Sequence, residues 1–291
     1  MTTALLETTQ EIIAASLERI ENPYQATSAC LGPSKISTYL RCPNSYRLQY
    51  VDKVRMPASP AMMVGTCFHD VAEQIRPQKW TAADADKAGA LLLQNWQEAR
   101  GLTTDPDDPE ASDSINQAVV EWLPWYLWFL GHGQDIDLES RWEFPVGDTG
   151  VTLRGTIDRL YIQDGAVIIS DLKTGKRAPT KTEKKDPITG QTVTCYPDLD
   201  RDLQGSLYWW AVRQEGVQPA RFEQVMPRKQ ASFPTTRTDG YLQAVIEQVV
   251  LPAARGIKRK VFPCNPSPVY GCNFCNHQSL CAVGRGAQGE D

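Results

Sequence analysis

Apolar positions recur along this chain first at helical spacing and later at strand spacing. In residues 2–22, Leu5, Leu6, Ile12, Ile13, Leu17 and Ile20 fall on one helical face. They predict an amphipathic helix within an N-terminal arm over residues 1–33. Pro33-Ser34 predicts the next helix start, with Ser34 as its cap. A third helix is predicted over 65–76. From about 81 to 132 the period stays helical, broken by the acidic stretch Asp105-Pro106-Asp107-Asp108-Pro109-Glu110. The period then falls to two, which predicts strands over 139–146, 151–162 and 166–173. Residues 174–201 are polar, with turn signals at Thr174-Gly175, Asp186-Pro187 and Thr189-Gly190. Such a stretch reads as a long mobile loop. A helix over 202–214, a strand over 220–227 and a helix over 238–256 follow. No internal repeat is visible.

Composition narrows the class. A chain of 291 residues, 41% hydrophobic and 22% charged, can bury a full core as one large domain with an insertion. No run of about 18 apolar residues occurs, which argues against a membrane span. The formal net charge of −5 counts against a nucleic-acid partner. Local clustering matters more than the sum, however. Lys176, Arg177, Lys181, Lys184 and Lys185 follow the strand at 166–173 and are candidate phosphate contacts; a solvated loop is the plainer alternative. Smaller basic groups lie at Arg228-Lys229 and at Arg255, Lys258, Arg259 and Lys260. The aromatic cluster Trp122, Trp125, Tyr126, Trp128 and Phe129 reads as core packing rather than a base-stacking platform.

The candidate chemistry sits where charges interrupt apolar strands. Arg154-Gly155-Thr156-Ile157-Asp158 and Val167-Ile168-Ile169-Ser170-Asp171-Leu172-Lys173 both carry charges that cost stability on a buried face. Period-two geometry puts Asp171 and Lys173 on one face and Leu172 on the other. A hairpin turn near Asp164-Gly165 brings Asp158 toward them. Two carboxylates hold a hard divalent cation, and a neighbouring lysine orients a water that attacks a phosphodiester. A half-exposed hairpin with paired edge charges is the alternative. Upstream, His69 and Glu73 share a helical face; downstream, Gln204 and Tyr208 do the same.

Gly-Thr-x-x-His at Gly65–His69, Gly-x-x-Asp at Gly155–Asp158, Asp-x-Lys at Asp171–Lys173 and Gln-x-x-x-Tyr at Gln204–Tyr208 occur in that order. The set resembles the PD-(D/E)xK nuclease superfamily, in particular its RecB-type branch with the Cas4-like exonucleases. The resemblance runs from about Ser34 to Cys281. It implies an α/β fold with a restriction-endonuclease-like core, a central mixed sheet flanked by helices. A helical insertion at about 80–135 and a C-terminal cysteine module would be added to that core. It also implies a metal-dependent deoxyribonuclease, most simply a 5′ to 3′ single-strand exonuclease. Asp158, Asp171 and Lys173 would be catalytic, supported by Gln204 and Tyr208. His69, Asp158, Asp171 and the main-chain carbonyl of Leu172 would hold Mn²⁺ or Mg²⁺. Glu73 is a weaker candidate, for outer-sphere support or a second metal. Ile157 stands where the superfamily's literal motif has proline.

Eight cysteines without a visible secretory segment fit a reducing cytoplasm and metal binding better than disulfides. Cys272, Cys275 and Cys281 form C-x2-C-x5-C, one thiolate short of a four-coordinate site. The same resemblance supplies Cys42 as the fourth ligand, around a [4Fe-4S] cluster, in a module of residue 42 plus 264–281 that leaves 282–291 as a flexible tail. Zinc on these thiolates, with His277 or Cys264 recruited, is the alternative. The implied partner is DNA, single-stranded in the first instance. No P-loop is present, so unwinding would need a helicase or another recombination or CRISPR partner. A catalytically inactive DNA-binding or assembly subunit and a structure-specific endonuclease are the competing functions.

Overall fold

The computed structural model describes residues 29–185, 191–266, 272 and 275–286; the helix expected over 2–22 lies outside them. Along the chain come β1 (Ala29–Leu31), α1 (Pro33–Arg41), α2 (Pro60–Ile75), α3 (Ala85–Ala99), α4 (Pro109–Gln117) and α5 (Leu123–Leu130). There follow β2 (Gln134–Pro145), β3 (Val151–Gln163), β4 (Ala166–Leu172), β5 (Thr182–Lys185) and β6 (Thr192–Cys195). The chain continues through α6 (Leu203–Gln214), β7 (Pro219–Met226), β8 (Ala231–Thr235), α7 (Asp239–Val245) and α8 (Leu251–Lys258). This is a mixed α/β fold with a central mixed sheet flanked by helices. No helix among the described residues is long and apolar enough to cross a membrane.

Two compact units divide the chain. The larger comprises residues 57–141 and 156–237 within the described chain. In its sheet, β3 runs antiparallel to β4, β4 parallel to β7, and β7 antiparallel to β8, while β2 pairs with β3. The β3–β4 connection is Asp164-Gly165, with φ of 51° and 77°. Positive φ at both central residues marks a type I′ hairpin turn, whose twist matches that of the strands it joins. It sets the register Arg159 opposite Ser170 and Gln163 opposite Ala166. The parallel β4–β7 pair cannot be closed by a tight turn, and α6 lies in the crossover. β4 is buried almost throughout, as expected of a central strand covered on both faces. Its Leu172 joins Val64, Phe68, Val71 and Ile75 of α2, together with Leu92, Trp96, Ile115, Trp122, Leu123 and Tyr126 of the insertion. Trp122 and Tyr126 are therefore core residues, whereas Trp128 is exposed.

Among the described residues a π-helical turn occurs at Arg47–Val51, and two more, each followed by a proline, at Ala118–Trp122 and Ile246–Val250. Pro124 and Pro252 stand just after the latter two. Proline has no N–H to donate back along the helix, so the ladder loosens in the turn before it.

The smaller unit comprises residues 29–56, 142–155 and 238–286 within the described chain. Here β1 runs parallel to the start of β3, Ala29 opposite Val151. Tyr39, Tyr46 and Phe262 pack ring against ring, and the Tyr39 hydroxyl donates to Val261 O at 2.9 Å.

Three expectations change. Gly32, not Ser34, caps α1, because Pro33 already occupies its first turn. The stretch after β4 is not structureless: Thr182–Lys185 and Thr192–Cys195 pair as an antiparallel hairpin, Lys184 opposite Val193. Its strands are largely exposed, so no buried apolar face announced them. Strands β1 and β8 were not expected either.

Candidate active site and cysteine pocket

The expected catalytic residues lie in the larger unit, on α2, β3, the end of β4 and α6. Asp171 is buried to 2% side-chain exposure, while Lys173 keeps 36%. Lys173 Nζ stands 2.8 Å from Asp171 Oδ2 and donates to Gln204 Oε1 at 3.0 Å. Gln204 Nε2 donates to Asp171 Oδ1 at 3.0 Å and to the Tyr208 hydroxyl at 2.7 Å. Both amide hydrogens of Gln204 are thus engaged, and its oxygen must face the ammonium. Leu172 points away into the core, as alternation requires, but its N–H donates to Asp158 Oδ2 at 2.7 Å. Asp158 thereby sits against the segment that carries Asp171 and Lys173.

Close helix approach makes this possible. A side chain at Gly65 of α2 would meet Thr174 Oγ1 at 2.9 Å, and one at Gly205 of α6 would meet the Phe222 ring of β7 at 2.8 Å. The glycines of the Gly-x-x-x-His and Gln-Gly segments therefore set how near His69 and Gln204 come to the sheet. Asp202 caps α6, its Oδ2 accepting from Gly205 N at 2.6 Å.

Electrostatics follow from burial. Desolvation, reinforced by Asp158 and Asp202, pushes Asp171 up to about 7 even though Lys173 pulls the other way. Lys173 is raised: burial lowers it, but Asp171, Asp158 and Asp202 outweigh that. His69 is lowered by burial and by Lys173 and Arg76, against the pull of Asp158. Tyr208 is pushed well up by burial and then by Asp171. Asp158 and Asp171, with neutral His69 nearby, are hard and borderline donors that suit Mn²⁺ or Mg²⁺. Among the described residues, no three His, Cys, Asp or Glu side chains converge to ligand geometry as they stand. The carboxylate oxygens point at Lys173, Gln204 and the Leu172 amide instead.

Glu73 is exposed and, with Asp70, Asn95 and Glu98, lines an open cleft of about 490 Å³. Of the basic group, Lys176 pairs with Glu110 and Lys181 with Glu183 at 3.5 Å, while Arg177 lies in the field of Asp198. Lys184 and Lys185 are exposed on β5.

In the smaller unit, Cys42, Cys264, Cys272, Cys275 and Cys281 line one cavity of about 20 Å³. Cys264 Sγ lies 3.7 Å from Cys281 Sγ. Asn265 N–H donates to Cys42 Sγ at 3.5 Å, and Asn44 Nδ2 to Cys281 Sγ at 3.5 Å. Cys281 is lowered: burial opposes this, but donors from Gly284, Cys264, Val283 and Asn44 prevail. N–H donors aimed at sulfur favour a thiolate. Thiolates are soft ligands, but among the described residues no three of these cysteines stand at metal-ligand geometry. His277 does not line the cavity; it is buried, with Nε2 3.4 Å from Val54 O. The remaining cysteines lie elsewhere: Cys67 in the core, Cys30 beside Glu143 and Cys195 on the hairpin. All eight are free thiols.

Sequence reasoning missed Arg76 and Glu139. Arg76 stands at the C-terminal end of α2 and is almost fully buried. Glu139 lies within β2 with φ of 53°. Burial pushes Glu139 up to about 7 despite Arg76 at 2.6 Å. An arginine at a helix end reads from sequence as an exposed complement to the helix dipole, so nothing marked it.

With this geometry in place, the comparisons are informative. The profile of the PD-(D/E)XK nuclease superfamily matches residues 31–282, and the chain belongs to that superfamily. Members of it are generally metal-dependent nucleases. The chain is also similar to the Gene 69 protein of Mycobacterium phage D29, 27% identical over 175 residues. That alignment covers 50% of this chain and 62% of the phage protein, so it spans less than two thirds of the relative's length. Among solved structures, the crystal structure of SSO0001 aligns over 97% of this chain and 96% of its own, at 13% identity and a TM-score of 0.37. A likeness that low carries no argument.

Proposed function

We propose that the protein is a divalent-metal-dependent deoxyribonuclease that degrades single-stranded DNA from an end, 5′ to 3′. The observation that carries the nuclease chemistry is the Lys173 ammonium, held between Asp171 and Gln204 beside Asp158. Asp158, Asp171, His69 and the main-chain carbonyl of Leu172 would hold Mn²⁺ or Mg²⁺. Bound there, the cation would neutralise phosphate charge and lower the pKa of its water. Lys173 orients the attacking water and balances the negative charge that develops on the phosphoryl oxygens. Asp171 and Gln204 fix the ammonium in place, and Tyr208 fixes Gln204. The exposed lysines of the β5–β6 hairpin would follow the DNA backbone. Single-strand preference, end-dependence and polarity rest on the Cas4-like resemblance of the motifs. A phage relative supports a role in phage DNA metabolism, recombination or repair.

On the Cas4-like resemblance we also propose a [4Fe-4S] cluster on Cys42, Cys272, Cys275 and Cys281; Cys264 is an additional thiol lining the same cavity. The cluster would stabilise the fold and take no step in cleavage. Zinc is the outcome to be distinguished. Anaerobically purified protein is expected to be brown, with absorbance near 400 nm and about four irons per chain. A colourless protein with one zinc would replace the cluster.

The test of function is cleavage of end-labelled single-stranded DNA with Mn²⁺ or Mg²⁺, beside a circular strand of the same sequence. Mononucleotides from the linear strand and an intact circle are expected. Rapid cutting of the circle would make the protein an endonuclease. Binding without cleavage in any divalent metal would make it a DNA-binding subunit.

A further inference from the structure

We infer that Arg76 is a positioning residue of the nuclease site, clamping the His69 helix directly to the Asp158 strand while a strained Glu139 on β2 holds its guanidinium. The inference rests on the nuclease reading and deepens it.

The observations are three contacts of one guanidinium whose side chain is 2% exposed. Its Nε donates to Ala72 O of α2 at 2.9 Å. Its Nη1 donates to the main-chain carbonyl of Asp158 on β3. Its Nη2 pairs with Glu139 Oε1 on β2 at 2.6 Å. Three elements of the larger unit therefore meet at one planar group. The fork geometry of arginine makes that possible; a lysine offers a point charge and cannot hold all three directions at once.

Position on the helix gives the clamp its meaning. Arg76 follows His69 by two helical turns, so the two side chains leave α2 on the same face. The guanidinium grips the residue that carries the Asp158 carboxylate, but through its main chain. That carboxylate stays available to the Leu172 amide and to a cation. Arg76 thus fixes the distance from His69 to Asp158 without occupying either.

Glu139 supplies the second, independent sign. Its φ of 53° lies in the left-handed region, inside a strand. A non-glycine residue there costs on the order of 1–3 kcal/mol and persists only where its surroundings hold it. The carboxylate that this conformation turns toward Arg76 is what holds it. Burying an arginine this deeply is costly unless its donors are paired, and Glu139 with two main-chain carbonyls pairs Nη2, Nε and Nη1.

The test uses full-length Arg76→Lys and Glu139→Gln, with melting temperature and single-strand affinity measured as controls. Mn²⁺ affinity is read by electron paramagnetic resonance of the free ion, which requires no turnover. A loosened His69–Asp158 spacing should weaken Mn²⁺ binding by about 5- to 50-fold. Cleavage should fall at low Mn²⁺ and recover most of the way at saturating Mn²⁺. Amide exchange around residues 157–159 should accelerate in the metal-free variants. If Arg76→Lys does not fold, Glu139→Gln carries the same three readouts. Wild-type Mn²⁺ affinity and unchanged exchange in a folded variant would overturn the clamp. So would lost cleavage at unchanged Mn²⁺ affinity. A wild-type protein that binds Mn²⁺ but cuts no DNA would overturn the nuclease reading instead, and the clamp would still be judged on binding and exchange.

Discussion

At the scale of single residues, the site is governed by a buried Asp171 and the half-buried Lys173 beside it. Lys173 should contribute most in the transition state, where negative charge grows on the phosphoryl oxygens. Lys173→Ala is expected to reduce metal-dependent cleavage by about 10²- to 10³-fold while leaving single-strand binding within a few-fold. Cleavage at the wild-type rate would remove the assignment. Asp171 ties stability to pH. Its pKa is about 7 in the fold against an ordinary 3.8, so between those values the folded chain holds a proton that the unfolded chain has lost. Its contribution to stability therefore falls as pH rises through that window. Glu139, also raised to about 7, acts with the same sign. A divalent cation held by the ionised carboxylate would offset the loss. Mg²⁺ or Mn²⁺ should raise the melting temperature clearly at pH 8 and little at pH 5. Equal shifts at both would count against Asp171 as a ligand.

At the scale of elements, distance is set by what a helix lacks. Gly205 lets α6 approach the Phe222 ring of β7, and Gln204 reaches Lys173 only because of that approach. Gly205→Ala should lower the cleavage rate at least tenfold without altering any group that touches DNA; an unchanged rate would mean the helix position is not critical. The hairpin makes a second test. Replacing Lys181, Lys184 and Lys185 by Gln should weaken single-strand binding and lower the slope of log K against log salt by up to about 2. An unchanged slope would move the DNA path away from β5. Much at this scale was legible in the sequence. Alternation announced that Asp171 and Lys173 share a face, and Asp164-Gly165 announced the hairpin. His69, Gln204 and Tyr208 stood out by helical spacing and order. What stayed hidden had no periodic signature. Strand β8 contains Pro234, which marks an edge strand from sequence as a non-strand. β1 is three residues long, too short for a pattern. The β5–β6 hairpin lacks a buried face. Arg76 and Glu139 are recognised only through partners far away in sequence.

At the scale of the molecule, the cysteine pocket joins distant stretches of chain. Ser45 and Cys275, 230 residues apart, meet at 3.9 Å on its wall. Cross-linking a loop of that length through a metal removes denatured-state entropy worth about 5 kcal/mol in the loop-closure account. Cys42→Ala should then lose the metal and lower the melting temperature by about 10 °C or more, with greater protease sensitivity than Lys173→Ala. An unchanged melting temperature and metal content would take Cys42 out of the site. The type I′ turn at Asp164-Gly165 bears on the whole chain in another way, through time. A hairpin closes in about 1–10 μs, whereas the parallel β4–β7 pair must wait for the α6 crossover to form and dock. The alignment of β3 with β4 is thus decided early, by two residues that touch no substrate. A slip of one position would turn Leu172 outward and bury Lys173 in its place. Gly165→Val, strained at φ of 77°, should slow refolding more than it disturbs the finished enzyme. On these timescales, the face that carries Asp171 and Lys173 is expected to be chosen before most of the core exists.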